Sequence, residues 1–116
     1  MKLRTSSGEF HFNPQTVSHV HLNADRTLLT VHFIEGTHYG FDAATDADRI
    51  YFAEFLAKLT DESSGFIAIG NEVLNLKAAL WISIPIEEPI QVRLGDSRTR
   101  IVDEKDRERI TKLLAE

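Results

Sequence analysis

The sequence predicts a mixed α+β domain built from two tandem antiparallel sheet-plus-helix units, a duplication with a pseudo-twofold arrangement. Two apolar patterns with helical spacing match one another, and each follows a similar series of short strand-like stretches. The chain has 116 residues, enough for one compact domain and too few for two independent ones.

In the first unit, strands are expected over roughly 2–5, 9–12, 17–22, 28–34 and 37–42, with a turn at Gly8 and a bend at Asn13-Pro14. Around Gly36 a three-residue loop, Ile34-Glu35-Gly36, places Leu29, Val31, Phe33, Tyr39 and Phe41 on one face. A two-residue loop would mix Thr30 and His32 into that apolar set, so the longer loop is expected. A helix follows, capped by Thr45 with Asp48 and carrying Phe52, Phe55, Leu56 and Leu59 on one face. The loop 60–65 joins the units.

In the second unit, strands are expected over roughly 66–69, 72–76, 80–84, 90–94 and 97–102, with a tight hairpin at Gly70-Asn71. A two-residue loop at Gly95-Asp96 places Ile90, Val92, Leu94, Thr99 and Ile101 inside, and Gln91, Arg93, Arg98 and Arg100 outside. A second helix is expected to be capped by Asp103 with Asp106 and buried through Ile110, Leu113 and Leu114.

The units align residue by residue. Asn13 falls on Asn75, Val20 on Ile82 and Leu22 on Ile84 at an offset of 62, while Thr45 falls on Asp103 and Phe55 on Leu113 at an offset of 58. Loop deletions near Asn23–Arg26 and Asp42–Ala44 account for the difference, and surface loops tolerate them. The repeats span about 1–59 and 66–115 of a single domain, 1–116. Each half buries apolar surface that neither could bury alone.

Composition narrows the function. An apolar fraction of 42% suits a packed core, and the formal net charge of −5 argues against a nucleic-acid partner. The absence of cysteine excludes disulfides, thiolate zinc sites and cysteine nucleophiles. No stretch approaches the length of a membrane span, and Met1–Gly8 lacks the apolar run of a secretion signal, so a cytoplasmic setting is expected.

The first unit resembles the small FlbD-type proteins of flagellated and swarming bacteria through Gly8-Glu9-Phe10-His11-Phe12-Asn13-Pro14, the alternating Val31 and Phe33, Gly36, and Tyr39 with Phe41 ahead of a helix. That resemblance covers about half the chain. The whole chain is also similar to small uncharacterised cyanobacterial proteins whose fold is like that of type III secretion chaperones. Neither resemblance implies a catalytic residue, and no phosphate loop, nucleophile elbow or His-Glu-x-x-His motif is present.

Two clusters carry chemistry. All five histidines, His11, His19, His21, His32 and His38, fall in the first unit on the face opposite its expected core. Imidazoles on adjacent strands can share a divalent ion, so His19, His21, His32 and His38 are candidate metal ligands. The alternative is a polar sheet face that merely tolerates histidine. In the second unit Trp81, Arg93, Arg98 and Arg100 share the outer face. These are residue types enriched where partners bind. The alternative is a buried Trp81 with the arginines paired to carboxylates.

Sequence alone therefore predicts a non-enzymatic binding or adaptor domain working through a protein partner or as a homodimer, without nucleic acid, membrane or obligatory cofactor. The alternatives are a divalent-metal-binding protein using the histidine face and a chaperone-like binder of a peptide segment.

Overall fold

The computed structural model describes residues 1–61 and 64–115. Glu62 and Ser63, in the expected linking loop, lie outside the described residues. The first half runs β1 (Lys2–Thr5), β2 (Gly8–His11), a 3-10 turn (Pro14–Thr16), β3 (Val17–Leu22), β4 (Leu28–Phe33), β5 (His38–Asp42) and α1 (Asp46–Leu59). The second runs β6 (Phe66–Ile69), β7 (Glu72–Asn75), a 3-10 turn (Leu76–Ala78), β8 (Trp81–Ser83), β9 (Ile90–Arg93), β10 (Thr99–Val102), a 3-10 turn (Glu104–Asp106) and α2 (Arg107–Leu114). The fold is α+β, and both halves read hairpin, 3-10 turn, three-stranded meander, helix.

The two halves share one local device. Asn13 Oδ1 accepts from the Gln15 N–H at 3.1 Å, and Asn75 Oδ1 accepts from the Lys77 N–H at 3.1 Å. The two asparagines thus cap equivalent 3-10 turns, as their offset in the sequence requires. The halves are then used differently. Hairpin β1–β2 stands as its own sheet, meander β3–β5 joins hairpin β6–β7 in a five-stranded sheet ordered β5-β4-β3-β7-β6, and β10-β9-β8 form a third sheet. The molecule is correspondingly elongated, 46 × 27 × 24 Å.

The five-stranded sheet is covered on both faces at β6 and β7, while β5 is largely exposed. One core gathers Leu3, Val17, Val20, Leu29, Val31, Phe41, Phe52, Phe55, Phe66 and Val73 under α1. The other gathers Ile67, Leu74, Leu76, Ile90, Val92, Leu94, Val102 and Ile110. Adjacent residues of β6 (Phe66, Ile67) and β7 (Val73, Leu74) enter opposite cores, because strand side chains alternate and both faces are covered. A bulge at Ser18 shifts the β3–β4 register, so Val17 and Val20, three residues apart, both reach the first core.

The helix expectations hold in part. Thr45 caps α1, its Oγ1 accepting from the Asp48 N–H at 3.3 Å. Buried Asp48 accepts from the Ser6 N–H, Ser6 Oγ and the Ala44 N–H, tying the β1–β2 turn to the helix start. Burial opposes the charge of this carboxylate, yet those donors hold its pKa below the ordinary value. The second cap differs from expectation. Asp103 makes no side-chain cap bond and a 3-10 turn precedes α2. Leu114 is 43% exposed, because α2 is short and packs mainly through Ile110.

The two meander hairpins provide a contrast in register. The β4–β5 pairing matches expectation, with Val31 opposite Tyr39 and Leu29 opposite Phe41. Gly36 closes that turn at φ +104°, a value open to glycine and strained for other residues. The β9–β10 pairing does not match. Thr99 faces Arg93 and Arg100 faces Val92, which requires a three-residue turn, Gly95-Asp96-Ser97, with Ser97 at φ +69°. One extra turn residue reverses every side chain of β10, so Arg100 and Val102 point inward while Thr99 and Ile101 point outward.

Candidate functional site

Arg100 is the centre of the site. Turned inward by the β9–β10 register, it is 4% exposed and lies over the histidine face of the five-stranded sheet. Its Nε donates to Glu72 at 2.9 Å, and its Nη1 and Nη2 donate to the two oxygens of Asp96 at 2.9 and 2.6 Å. Burial works against its charge, but these bonds raise its pKa further above the ordinary arginine value. Asp96 is held far below the usual carboxylate range, first by the Arg100 hydrogen bonds. Burial opposes ionisation of Glu72, and the Arg100 hydrogen bond with the Arg100 and Arg98 charges outweighs it. Arg98, 63% exposed, reaches Glu72 at 3.2 Å from the solvent side.

The histidines divide. His11 is exposed on β2, away from the others in the sheet order. His19, 5% exposed, stacks on His32 with ring centroids 4.1 Å apart and planes 7° apart. His38 follows at 5.6 Å from His32. His21 sits in the next row, opposite Thr30 on one side and Glu72 on the other. Parallel stacking directs the in-plane nitrogen lone pairs past one another rather than toward a shared ion. Among the described residues no group of three or more histidine or carboxylate side chains is placed to hold a metal. The face opposite the first core is not a free surface either, because the β9–β10 turn covers His19.

Burial, then the neighbouring His32 and Arg100, push the His19 pKa down to about 4. His19 is therefore neutral near pH 7, and its 3.8 Å approach to Asp96 is not an ion pair there. The unfolded value, 6.5, is higher, so the unfolded state binds the extra proton between about pH 6.5 and 4. Stability is full above that window and falls as pH drops through it, by up to about 3 kcal/mol. His19→Gln should flatten urea-denaturation stability across this range. An unchanged acid slope would show that His19 is not the titrating group.

Trp81 is 45% exposed on the outer face of the third sheet, directly opposite Arg93, which in turn faces Thr99. Arg93 Nη1 donates to Thr99 Oγ1 at 3.0 Å. Of the four residues expected on this face, Trp81 and Arg93 are there, Arg98 sits at the rim, and Arg100 is withdrawn into the molecule.

Two hollows flank this region. One, of about 710 Å³, lies between the histidine face and β10 and is lined by His21, Asn71, Arg98 and Thr99 among others. The second, of about 350 Å³, is bordered by Arg26 in the β3–β4 turn and again by Asn71. Asn23 shapes that turn, its Oδ1 accepting from the N–H groups of Thr27 and Leu28, with exposed Arg26 at φ +61°. Asn71 and Glu72 border both hollows, and past them a row of donors can be traced from Arg26 through Arg98 and Thr99 to Arg93, which bonds Thr99. This stripe of donors was missed in the sequence. Its signals were the Asn23 turn and the Asp96-x-Arg98 turn, in which Asp96 Oδ1 accepts the Arg98 N–H at 3.1 Å.

The architecture defines a three-sheet α+β domain whose central sheet is covered on both faces at β6 and β7. In that architecture the chain is similar to the LytTr DNA-binding domain of a Bacillus cereus protein described as a methyl-accepting/DNA response regulator. The TM-score is 0.59 at 15% identity, covering 100% of this chain and 96% of that one. No protein-family model matches the chain, and no curated protein matches it in sequence.

This likeness corrects the functional expectation. The expected protein-binding adaptor or homodimer, with its metal-binding and peptide-binding alternatives, and the exclusion of nucleic acid are not supported by it: the similar solved structure is described as a DNA-binding domain. The physical reasons are local. The arginine face invoked for an acidic protein partner loses Arg100 to Glu72 and Asp96. The net charge of −5 is a sum over the whole chain and does not say where the charges lie. No helix among the described residues is long and apolar enough to cross a membrane.

Proposed function

We propose that this chain is a non-enzymatic DNA-binding domain that contacts duplex DNA along the stripe of Arg26, Asn71, Arg98, Thr99 and Arg93. The observation that carries this reading is the whole-chain similarity in fold to a LytTr DNA-binding domain. The stripe supplies the chemistry such a partner needs: guanidinium groups for phosphates, with amide and hydroxyl donors between them. Arg100 offsets part of the charge of Glu72 and Asp96, two carboxylates on one cation, and Arg98 meets Glu72 from the solvent side.

The test is binding to a duplex of about 20 base pairs, longer than the 46 Å protein axis, by fluorescence anisotropy over a salt series. Affinity should fall steeply with salt, and Arg98→Ala should reduce the log–log slope by about one. Absence of binding even at about 50 mM salt, or a slope untouched by Arg98→Ala, would count against the reading.

A further inference from the structure

The stripe runs onto the open face of β8, β9 and β10 through Thr99 and Arg93, and the rest of that face lies beyond it. Two cross-strand rows stand on it. Trp81, Arg93 and Thr99 form the first, and Ser83, Gln91 and Ile101 the second. None is acidic. Ile101 is 61% exposed, and Leu80, just ahead of Trp81, is 68% exposed. Arg93 reaches across to Thr99, on the side away from Trp81.

We propose that this face is a stacking platform for unpaired nucleobases, so that the domain also holds single-stranded DNA. The proposal rests on the nucleic-acid reading above and extends it to a second form of the same polymer. An exposed indole on a flat sheet offers what a splayed base requires, a π-face of matching size. Arg93 supplies the cation for the adjoining phosphate, while the Gln91 amide and Ser83 hydroxyl can meet a base edge. Charge selects this occupant: a face with an arginine, neutral donors and no carboxylate suits a polyanion whose bases are apolar on their faces.

Trp81 is the only tryptophan, so its emission reports on this face alone. The full chain would be titrated with an oligothymidine of about 15 nucleotides and, separately, with the duplex. The single strand should quench Trp81 emission. Trp81→Leu should weaken single-strand binding, measured by anisotropy of a labelled strand, by roughly tenfold or more and leave duplex affinity within about twofold. Arg93→Ala should weaken the single strand as well. Unquenched emission at saturating strand, or unchanged single-strand affinity in Trp81→Leu with a native circular dichroism spectrum, would overturn the proposal. If the duplex binds through Arg98 while the strand fails to quench, this platform alone falls. If neither form binds, the DNA-binding reading falls with it.

Discussion

Arg100→Ala should cost about 3–5 kcal/mol of folding stability, measured by urea denaturation at neutral pH. The side chain is 4% exposed and makes close bonds to two carboxylates, one on β7 of the central sheet and one in the β9–β10 turn. Removing it leaves Glu72 and Asp96 facing one another over a largely buried interface with their main cation gone. Arg100→Lys should recover only part of the loss, since an ammonium cannot reproduce the fork that serves two carboxylates. Replacing Arg100, Glu72 and Asp96 together with apolar residues should recover more, because no charge is then stranded. Arg98→Ala is the contrast: it meets Glu72 from solvent and should change stability by at most about 1 kcal/mol. A loss below about 1 kcal/mol for Arg100→Ala would show that the triad does not tie the third sheet to the second.

Phe55→Ala should cost a similar amount, about 3–5 kcal/mol. Phe55 is 4% exposed on α1, within the core that also holds Phe52, Phe41 and Val31, and its ring centroid lies 6.3 Å from that of Phe12. Truncation removes a whole ring from a site walled by a helix and a sheet, which cannot collapse to fill the space. Leu114→Ala at the frayed end of α2 should cost under about 1 kcal/mol, since that side chain is 43% exposed. Equal losses for the two variants would mean that α1 and α2 are anchored alike, against the burial seen here.

The sequence determined what depends on short-range pattern. The Thr45 cap reads directly from the chain because its partner is three residues away. The β4–β5 register follows from strict alternation of Leu29, Val31, Tyr39 and Phe41 on one face, buried at all but Tyr39, where a slip would bring in Thr30 and His32. The correspondence of Asn13 and Asn75 is legible as well, since each caps a 3-10 turn within two residues of itself. The donor stripe and the site's true geometry were not legible in this way. In β10 the expected register buries Ile101 with Thr99 and the observed one buries Val102 with Arg100, so alternation favoured the wrong register. The partners that make an inward Arg100 tolerable, Glu72 and Asp96, converge only when β7 lies beneath the β9–β10 turn.

Tertiary structure alone also decided that β7 pairs with β3, joining the second unit's hairpin to the first unit's sheet. That pairing sets β7 beside β3, where the second core covers the far face, and His19 is buried there, which a single-unit reading leaves in water. The reason is physical: alternation tells which side chains share a face, but whether that face meets solvent depends on strands brought over it from far along the chain.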